Sequence, residues 1–276
     1  MGYPTNILSE VFRDTEGHYT SSEIIAAHSL NTEDIREFAL RNIDLLHVRQ
    51  VMDLGCGFGF FTQALKDKIS AGSVITGIDC FEEYRRPFIS LCKKLGFKGN
   101  FFSSGTEALS DIINGSFDLV LSSFSIYFFP ELVEKVAAIL KKSGTFIIIC
   151  HYSTHLRELT DLMTEILKSK GYPVSCPLPH DKLIANFPAE EGRERLTGYF
   201  KKIEQRKYLN ELIFNSLTIN QLVSYLMYKL WFFIPEELVD KAINLNIETE
   251  IRKVLKDQKE FRITKNDGVF ICTHPI

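Results

Sequence analysis

The sequence has no Cys-x-x-Cys pair, although six cysteines stand at positions 56, 80, 92, 150, 176 and 272. That scatter argues against a zinc site or a disulfide framework, and for free thiols in a reducing compartment. No stretch reaches the roughly 18 uninterrupted apolar residues of a membrane span. The nearest, Leu222 to Pro235, is shorter and contains Lys229. The opening MGYPTNILSEVF shows neither an apolar signal core nor a cleavage-site pattern. These absences predict a cytoplasmic protein that makes no use of a membrane. Excess charge is lacking too. A formal net charge of −3 gives no general attraction to nucleic acid or to an anionic membrane. Lys201, Lys202, Arg206 and Lys207 lie close together, but Glu204 interrupts them, as on a solvated strand face. There is no internal repeat and no low-complexity tract.

What is present suits one large α/β domain, or one domain carrying a sizeable insertion. The 276 residues are 45% hydrophobic and 24% charged, ordinary for a globular chain. The most informative stretch is VMDLGCGFGFFTQAL, Val51 to Leu65. A buried-type strand (Val51, Met52, Leu54) runs into Gly55, Gly57 and Gly59 and then into an amphipathic helix. Glycines let backbone approach a ligand closely, and the first helical turn offers unpaired N–H groups. A dinucleotide fingerprint places a third glycine where Phe60 stands, and no Gly-Lys-Ser/Thr follows, so a Walker loop is excluded. Asp53 sits two positions before the first glycine.

The run Asp53-Leu-Gly-Cys-Gly-Phe-Gly59 resembles the first motif of the class I S-adenosylmethionine-dependent methyltransferases. Their ligand has no pyrophosphate and needs no third glycine of the dinucleotide kind. Its ammonium and sulfonium suit a nearby carboxylate such as Asp53. The resemblance implies cofactor contacts at Asp53, Gly55, Cys56 and Gly57. Asp79, with Cys80 beside it, closes the second strand 24 residues after Gly55, where a carboxylate reaches ribose hydroxyls. After the third strand the family often has Gly-Asp-Ala. Here the segment is Ser104-Gly105-Thr106-Glu107-Ala108, so Gly105 and Thr106 are assigned to the adenine contact. The stretch Phe117-Asp118-Leu-Val-Leu-Ser-Ser-Phe-Ser-Ile-Tyr127 resembles the fourth family motif. It places Ser122 and Ser123 beside cofactor, and Phe124 and Tyr127 toward substrate. Asn/Asp-Pro-Pro-Tyr, typical of members acting on DNA or glutamine, is absent. His151 follows the fifth strand. It serves there as a general base or as an ordinary hydrogen-bonded strand-end histidine. His155 and Trp231 are further substrate assignments, and Tyr19 a contact to the cofactor's carboxylate. A metal pair from His151 and His155 lacks a third ligand, so no metal is expected.

The resemblance covers residues 35 to 155 firmly and implies a doubly wound, Rossmann-like, seven-stranded sheet. Most strands are parallel, the last is antiparallel, and the order is 3-2-1-4-5-7-6. Residues 1–30 are expected to form an N-terminal lid, 31–210 and 260–276 the core, and 211–259 a helical insertion capping the substrate. In detail, Thr20 and Glu23 have capping-box spacing, and Asn31 or Thr32 is expected to cap the next helix. Leu140 is read as the end of a helix closed by Gly144. Residues 171 to 198, with four prolines, read as irregular. Residues 199–214 and 261–274 each read as one strand. The function implied is transfer of a methyl group from S-adenosylmethionine, in line, to N, O or S of a small molecule. A protein that binds S-adenosylmethionine without turnover, or an NAD(P)-dependent dehydrogenase, are the alternatives.

Overall fold

The computed structural model describes residues 8–172, 174, 177–239, 246–256 and 258–276. The chain forms two compact units. The first comprises residues 33–152, 186–208 and 267–276; the second comprises 1–32, 153–185 and 209–266.

The first unit is built on a seven-stranded sheet. Its strands are β1 (Gln50–Leu54), β2 (Val74–Ile78), β3 (Lys98–Phe102), β4 (Phe117–Ser123), β5 (Leu140–His151) and β6 (Phe200–Tyr208), with β7 (Glu211–Asn215) and β8 (Glu260–Thr264) lying outside it and β9 (Asp267–Pro275) completing it. The order is β3-β2-β1-β4-β5-β9-β6. β1 to β5 are mutually parallel, and β9 runs antiparallel to both β5 and β6. Numbered within this sheet alone, that is the expected 3-2-1-4-5-7-6 with an antiparallel final strand. The apolar runs explain the arrangement, because strands covered on both faces need continuous hydrophobicity. Met52, Leu54, Val120, Leu121 and Phe146 to Ile149 are all fully buried. Asp118 sits at the start of β4, accepting the Arg49 and Gln50 amides at 3.0 and 2.9 Å and so fixing where β1 begins.

Local readings need correction in several places. Leu140 opens β5 rather than ending a helix, because the helix Val133–Ile139 stops one residue earlier. Gly144 lies within β5, where a Cβ would come 2.8 Å from Leu140 Cδ2 and 2.9 Å from the Lys141 carbonyl; close packing there requires glycine. The helix Ile35–Leu40 is capped by Asp34, whose Oδ1 accepts the Arg36 amide at 2.8 Å, and not by Asn31 or Thr32.

The second unit is helical with a small sheet of its own. Its main helices are Thr15–His28, Arg157–Ser169, Ile219–Tyr228 and Ile247–Leu255. They enclose an apolar core that includes Leu159, Met163, Leu222, Leu226 and Ile251. Asp14 caps the first of these through a 2.8 Å bond from the Gly17 amide, which leaves Thr20 and Glu23 inside the helix rather than at its start. β7 (Glu211–Asn215) and β8 (Glu260–Thr264) pair antiparallel in this unit. Each of the two strands read as continuous from the sequence is therefore broken. The breaks fall at Asn210 and at Lys265–Asn266. The Asn210 amide donates to Asn266 Oδ1 (2.9 Å) and its carbonyl accepts from the Lys265 amide (2.9 Å). An asparagine side chain competing for backbone partners ends a ladder in this way. Residues 153–185 also belong to this unit, so the expected core of 31–210 and 260–276 is too wide. The stretch read as irregular holds two short helices, Pro179–Ile184 and Gly192–Leu196. Cys176 and Pro173 lie outside the described residues.

Candidate cofactor and acceptor site

The turn after β1 is held from below. The Gly55 and Cys56 amides both donate to the Ile78 carbonyl at the end of β2, at 2.8 and 3.1 Å. Gly55, Gly57 and Gly59 have φ of 68°, 48° and 91°. At Gly55 the reason is double. The left-handed backbone disfavours a side chain, and a Cβ would lie 2.5 Å from Ser125 Cβ. Cys56 turns its side chain into the core: its Sγ would stand 2.7 Å from a Cβ on Gly77, and burial pushes its thiol up. Only its backbone is left for the ligand contact read from the sequence.

Two carboxylates flank this turn. Asp53 is buried on β1, and one oxygen accepts the Thr62 hydroxyl at 2.7 Å. Its other oxygen, Oδ1, is buried and makes no hydrogen bond in the structure. Burial pushes the carboxyl up to about 7, against the opposing bonds from Thr62. Asp79 directly follows β2 and binds the loop itself, with Oδ2 accepting the Gly57 amide at 2.9 Å and Oδ1 the Phe81 amide at 3.1 Å. Burial raises it to about 6 in spite of those bonds. Each oxygen keeps a further lone pair for a ligand hydroxyl. Cys80 beside it is exposed. Gly105 opens the 3₁₀ turn Gly105–Asp111 with φ of 58°, and a Cβ there would lie 3.4 Å from Cys80 Cβ. Thr106 follows it, partly exposed. The adenine-side and ribose-side assignments thus sit together.

After β4 the chain builds a second wall. Ser122 Oγ lies 2.8 Å from Ser125 Oγ, and Ser125 Oγ donates to the Leu54 carbonyl at 2.7 Å. That chain ties the ends of β4 and β1 together, so the Ser122 hydroxyl has a structural task. Ser123 is half-buried. Phe124 is held at φ 55° and stacks on His151, with ring centroids 4.9 Å apart at 19°. Tyr127 also stacks on His151, at 5.5 Å and 22°, and Phe60 leans on Phe124 at 6.3 Å. His151 ends β5, and its Nδ1 stands 2.6 Å from Oδ1 of the fully buried Asp267.

A family model described as a methyltransferase domain matches residues 51–144. That stretch is similar to the methyltransferase-domain family. The match spans the turn, both carboxylates and the Ser122–Tyr127 wall, and stops short of His151. Over 100 residues the chain is 32% identical to the ubiquinone biosynthesis O-methyltransferase of Methylococcus capsulatus, covering 35% of this chain and 41% of that protein. It therefore spans well under half the length of this relative. Two solved structures share the fold. A Bacillus halodurans protein solved as a candidate methyltransferase aligns with a TM-score of 0.53 at 13% identity, covering 87% of this chain and 99% of that one. A phosphoethanolamine N-methyltransferase of Haemonchus contortus, solved with phosphomonomethylethanolamine and S-adenosylhomocysteine, aligns at 0.51 and 14%, covering 99% of this chain and 62% of that one.

The unit that carries the matched stretch does not contain every assigned residue. Tyr19, His155 and Trp231 belong to the helical unit. Tyr19 is 55% exposed on the helix Thr15–His28. His155 is buried, with Nδ1 3.2 Å from His180 Nε2, and the two rings stack at 5.4 Å. Trp231 is partly buried against the helical core, to which Tyr225, Phe232 and Phe233 also belong. Three residues that support the site were not singled out from the sequence. Thr62 lies nine residues after Asp53 and Ser125 three after Ser122, so local spacing carries a signal for both. Asp267 is 116 residues from His151 and has none. Among the described residues, no helix is long and apolar enough to cross a membrane.

Proposed function

We propose that this chain transfers a methyl group from S-adenosylmethionine to N, O or S of a small molecule. The observation that carries the reading is the buried, unpartnered Oδ1 of Asp53 at the foot of the glycine turn. A buried polar atom without a partner costs about 1–3 kcal/mol, more if charged. A cationic ligand group removes that cost, whereas the phosphates of a dinucleotide would raise it. Gly55, Gly57 and the Cys56 backbone would hold the amino-acid end, Asp79 the ribose, and Gly105 and Thr106 the base. Cys80, Ser122 and Ser123 border the same ligand in this reading.

When bound, the sulfonium supplies a methyl carbon already carrying its leaving group. The protein's task is to align the acceptor and exclude water. Phe124 and Tyr127 supply apolar walls on the acceptor side. The helical unit, with Tyr19, His155 and Trp231, is assigned acceptor selection, residues 1–30 acting as a lid and 211–259 as a cap. A cytoplasmic setting fits Cys56, Cys92, Cys150 and Cys272, all buried thiols outside any disulfide. The test is methylation of an amine, phenol and thiol panel with labelled S-adenosylmethionine. Label reaching an acceptor supports the reading, and S-adenosylmethionine binding without transfer to any acceptor opposes it.

A further inference from the structure

We propose that the helical unit holds a binding site for a small aromatic carboxylate, with Lys229 the cation that receives its charged end. The inference goes beyond the methyl-transfer reading and does not depend on it.

Lys229 stands between the helix Ile219–Tyr228 and the 3₁₀ turn Leu230–Phe232. That position sets its ammonium among three rings of its own segment. Nζ lies 5.4 Å from the ring centroid of Tyr225 and 5.8 Å from those of Tyr228 and Phe232. The rings continue beyond these three. Phe12 meets Phe232 edge-on at 5.9 Å and His18 at 6.0 Å, and His18 stacks on Tyr228 at 6.3 Å. The result is a cation set in an aromatic wall, all of it within one unit.

Among the described residues no counter-charge answers this cation, and Lys229 makes no ion pair. Its charged neighbour is another cation, Lys265, only 6% exposed. Burial first, and then Lys265, lowers the Lys229 ammonium to about 8, so it keeps its charge at pH 7. The neighbouring histidines are neutral there. Burial and then Lys229 lower His18 to about 4, with Asp14 opposing, and burial lowers His180 against the pull of Asp181. The two acids are engaged elsewhere. Asp14 accepts the Gly17 amide at 2.8 Å, and Asp181 lies 3.4 Å from His180 and accepts the Leu178 amide at 3.3 Å. The Tyr228 hydroxyl is also buried, and it makes no hydrogen bond among the described residues. A cation drawn out of water without a partner is costly. Aromatic faces and the end of a helix recover only part of that cost.

The ligand chemistry follows from these groups. An anion gives the ammonium its partner and offsets the repulsion from Lys265. The rings of Phe12, Tyr228 and Phe232 match a flat apolar body. One half-buried ammonium beside neutral imidazoles suits a single negative charge better than a phosphate dianion. A carboxylate on an aromatic ring meets all three conditions.

The experiment titrates the full chain by calorimetry with benzoate, benzamide and inorganic phosphate, without S-adenosylmethionine. Trp231 is the chain's single tryptophan and lies in the turn next to Lys229, so its fluorescence reports where binding occurs. Benzoate should bind saturably and change the Trp231 emission. Benzamide, of the same shape but uncharged, and phosphate should each bind about tenfold more weakly or worse. Benzoate affinity should fall by about tenfold between about pH 7 and about pH 9.5, as Lys229 loses its proton. Lys229→Met should bind benzoate no better than benzamide. It should melt no lower than wild type at pH 7, because it removes a charge that lacks a partner. Lys229→Arg should keep the preference for benzoate. Benzoate binding no tighter than benzamide or phosphate overturns the proposal. So does an unchanged Trp231 emission on binding, or a preference for benzoate that survives in Lys229→Met.

Discussion

At the scale of single residues, Asp53 and Asp79 do opposite work with the same side chain. Asp79 is satisfied by the turn it supports, whereas Asp53 keeps one oxygen unpaired. The Asp53 carboxyl sits at about 7, far above its unfolded value of about 3.9. Its contribution to stability is therefore full below the unfolded value and is lost as pH rises through about 7. Asp53→Asn still accepts from Thr62 and escapes that loss. It should melt higher than wild type at pH 8 and no higher at pH 4, which thermal unfolding at the two pH values checks. A bound ammonium favours the ionised form, so wild type should release a proton on taking S-adenosylmethionine below about pH 7. Calorimetry in buffers of differing ionisation enthalpy reads that proton, and Asp53→Asn should not release it. Asp79→Ala removes the proposed ribose partner and unpins the Gly57 and Phe81 amides. Cofactor affinity should drop by about 100-fold or more, two charge-assisted bonds being worth about 1.5–3 kcal/mol each. Both carboxylates were legible in the sequence, because strand, glycines and acid recur at fixed spacing. Asp267 was not, since only sheet pairing brings it to His151.

At the scale of elements, the turn between β1 and its helix is shaped by β4 as much as by its own glycines. Ser125 bonds the Leu54 carbonyl and fills the space a Cβ on Gly55 would need. Gly55→Ala should destabilise the chain by about 2 kcal/mol or more, combining left-handed strain with a clash. The melting temperature should fall by about 4–8 °C. Ser125→Gly removes the clash but also the bonds to Ser122 and Leu54, so the check is a double-mutant cycle: Gly55→Ala should cost less in a Ser125→Gly background than in wild type. The five parallel strands were legible because both-face burial demands unbroken apolar runs. The breaks at Asn210 and at Lys265–Asn266 were not, because β6 and β7 read as one alternation, as do β8 and β9. What separates them is a tertiary exchange between Asn210 and Asn266.

At the scale of the whole molecule, one unit carries every cofactor assignment except Tyr19, and the other carries most of the chain outside the family match. The parallel sheet follows from local patterning. The membership of residues 153–185 in the helical unit follows from packing: Leu159, Met163 and Ile166 bury against Leu222, Tyr225 and Ile251, which lie far away in sequence. Met163→Ala should therefore lower the melting temperature, removing a fully buried side chain worth about 2–5 kcal/mol. It should leave the affinity for S-adenosylhomocysteine within about twofold, since additivity holds between distant sites. The central claim is that the glycine turn with Asp53 and Asp79 takes a sulfonium nucleoside. The most direct measurement is calorimetric titration of the purified chain with S-adenosylmethionine, S-adenosylhomocysteine and NADH. Saturable binding of the two sulfur ligands and none of NADH is the predicted result, and binding of NADH alone, or of none of the three, would contradict it.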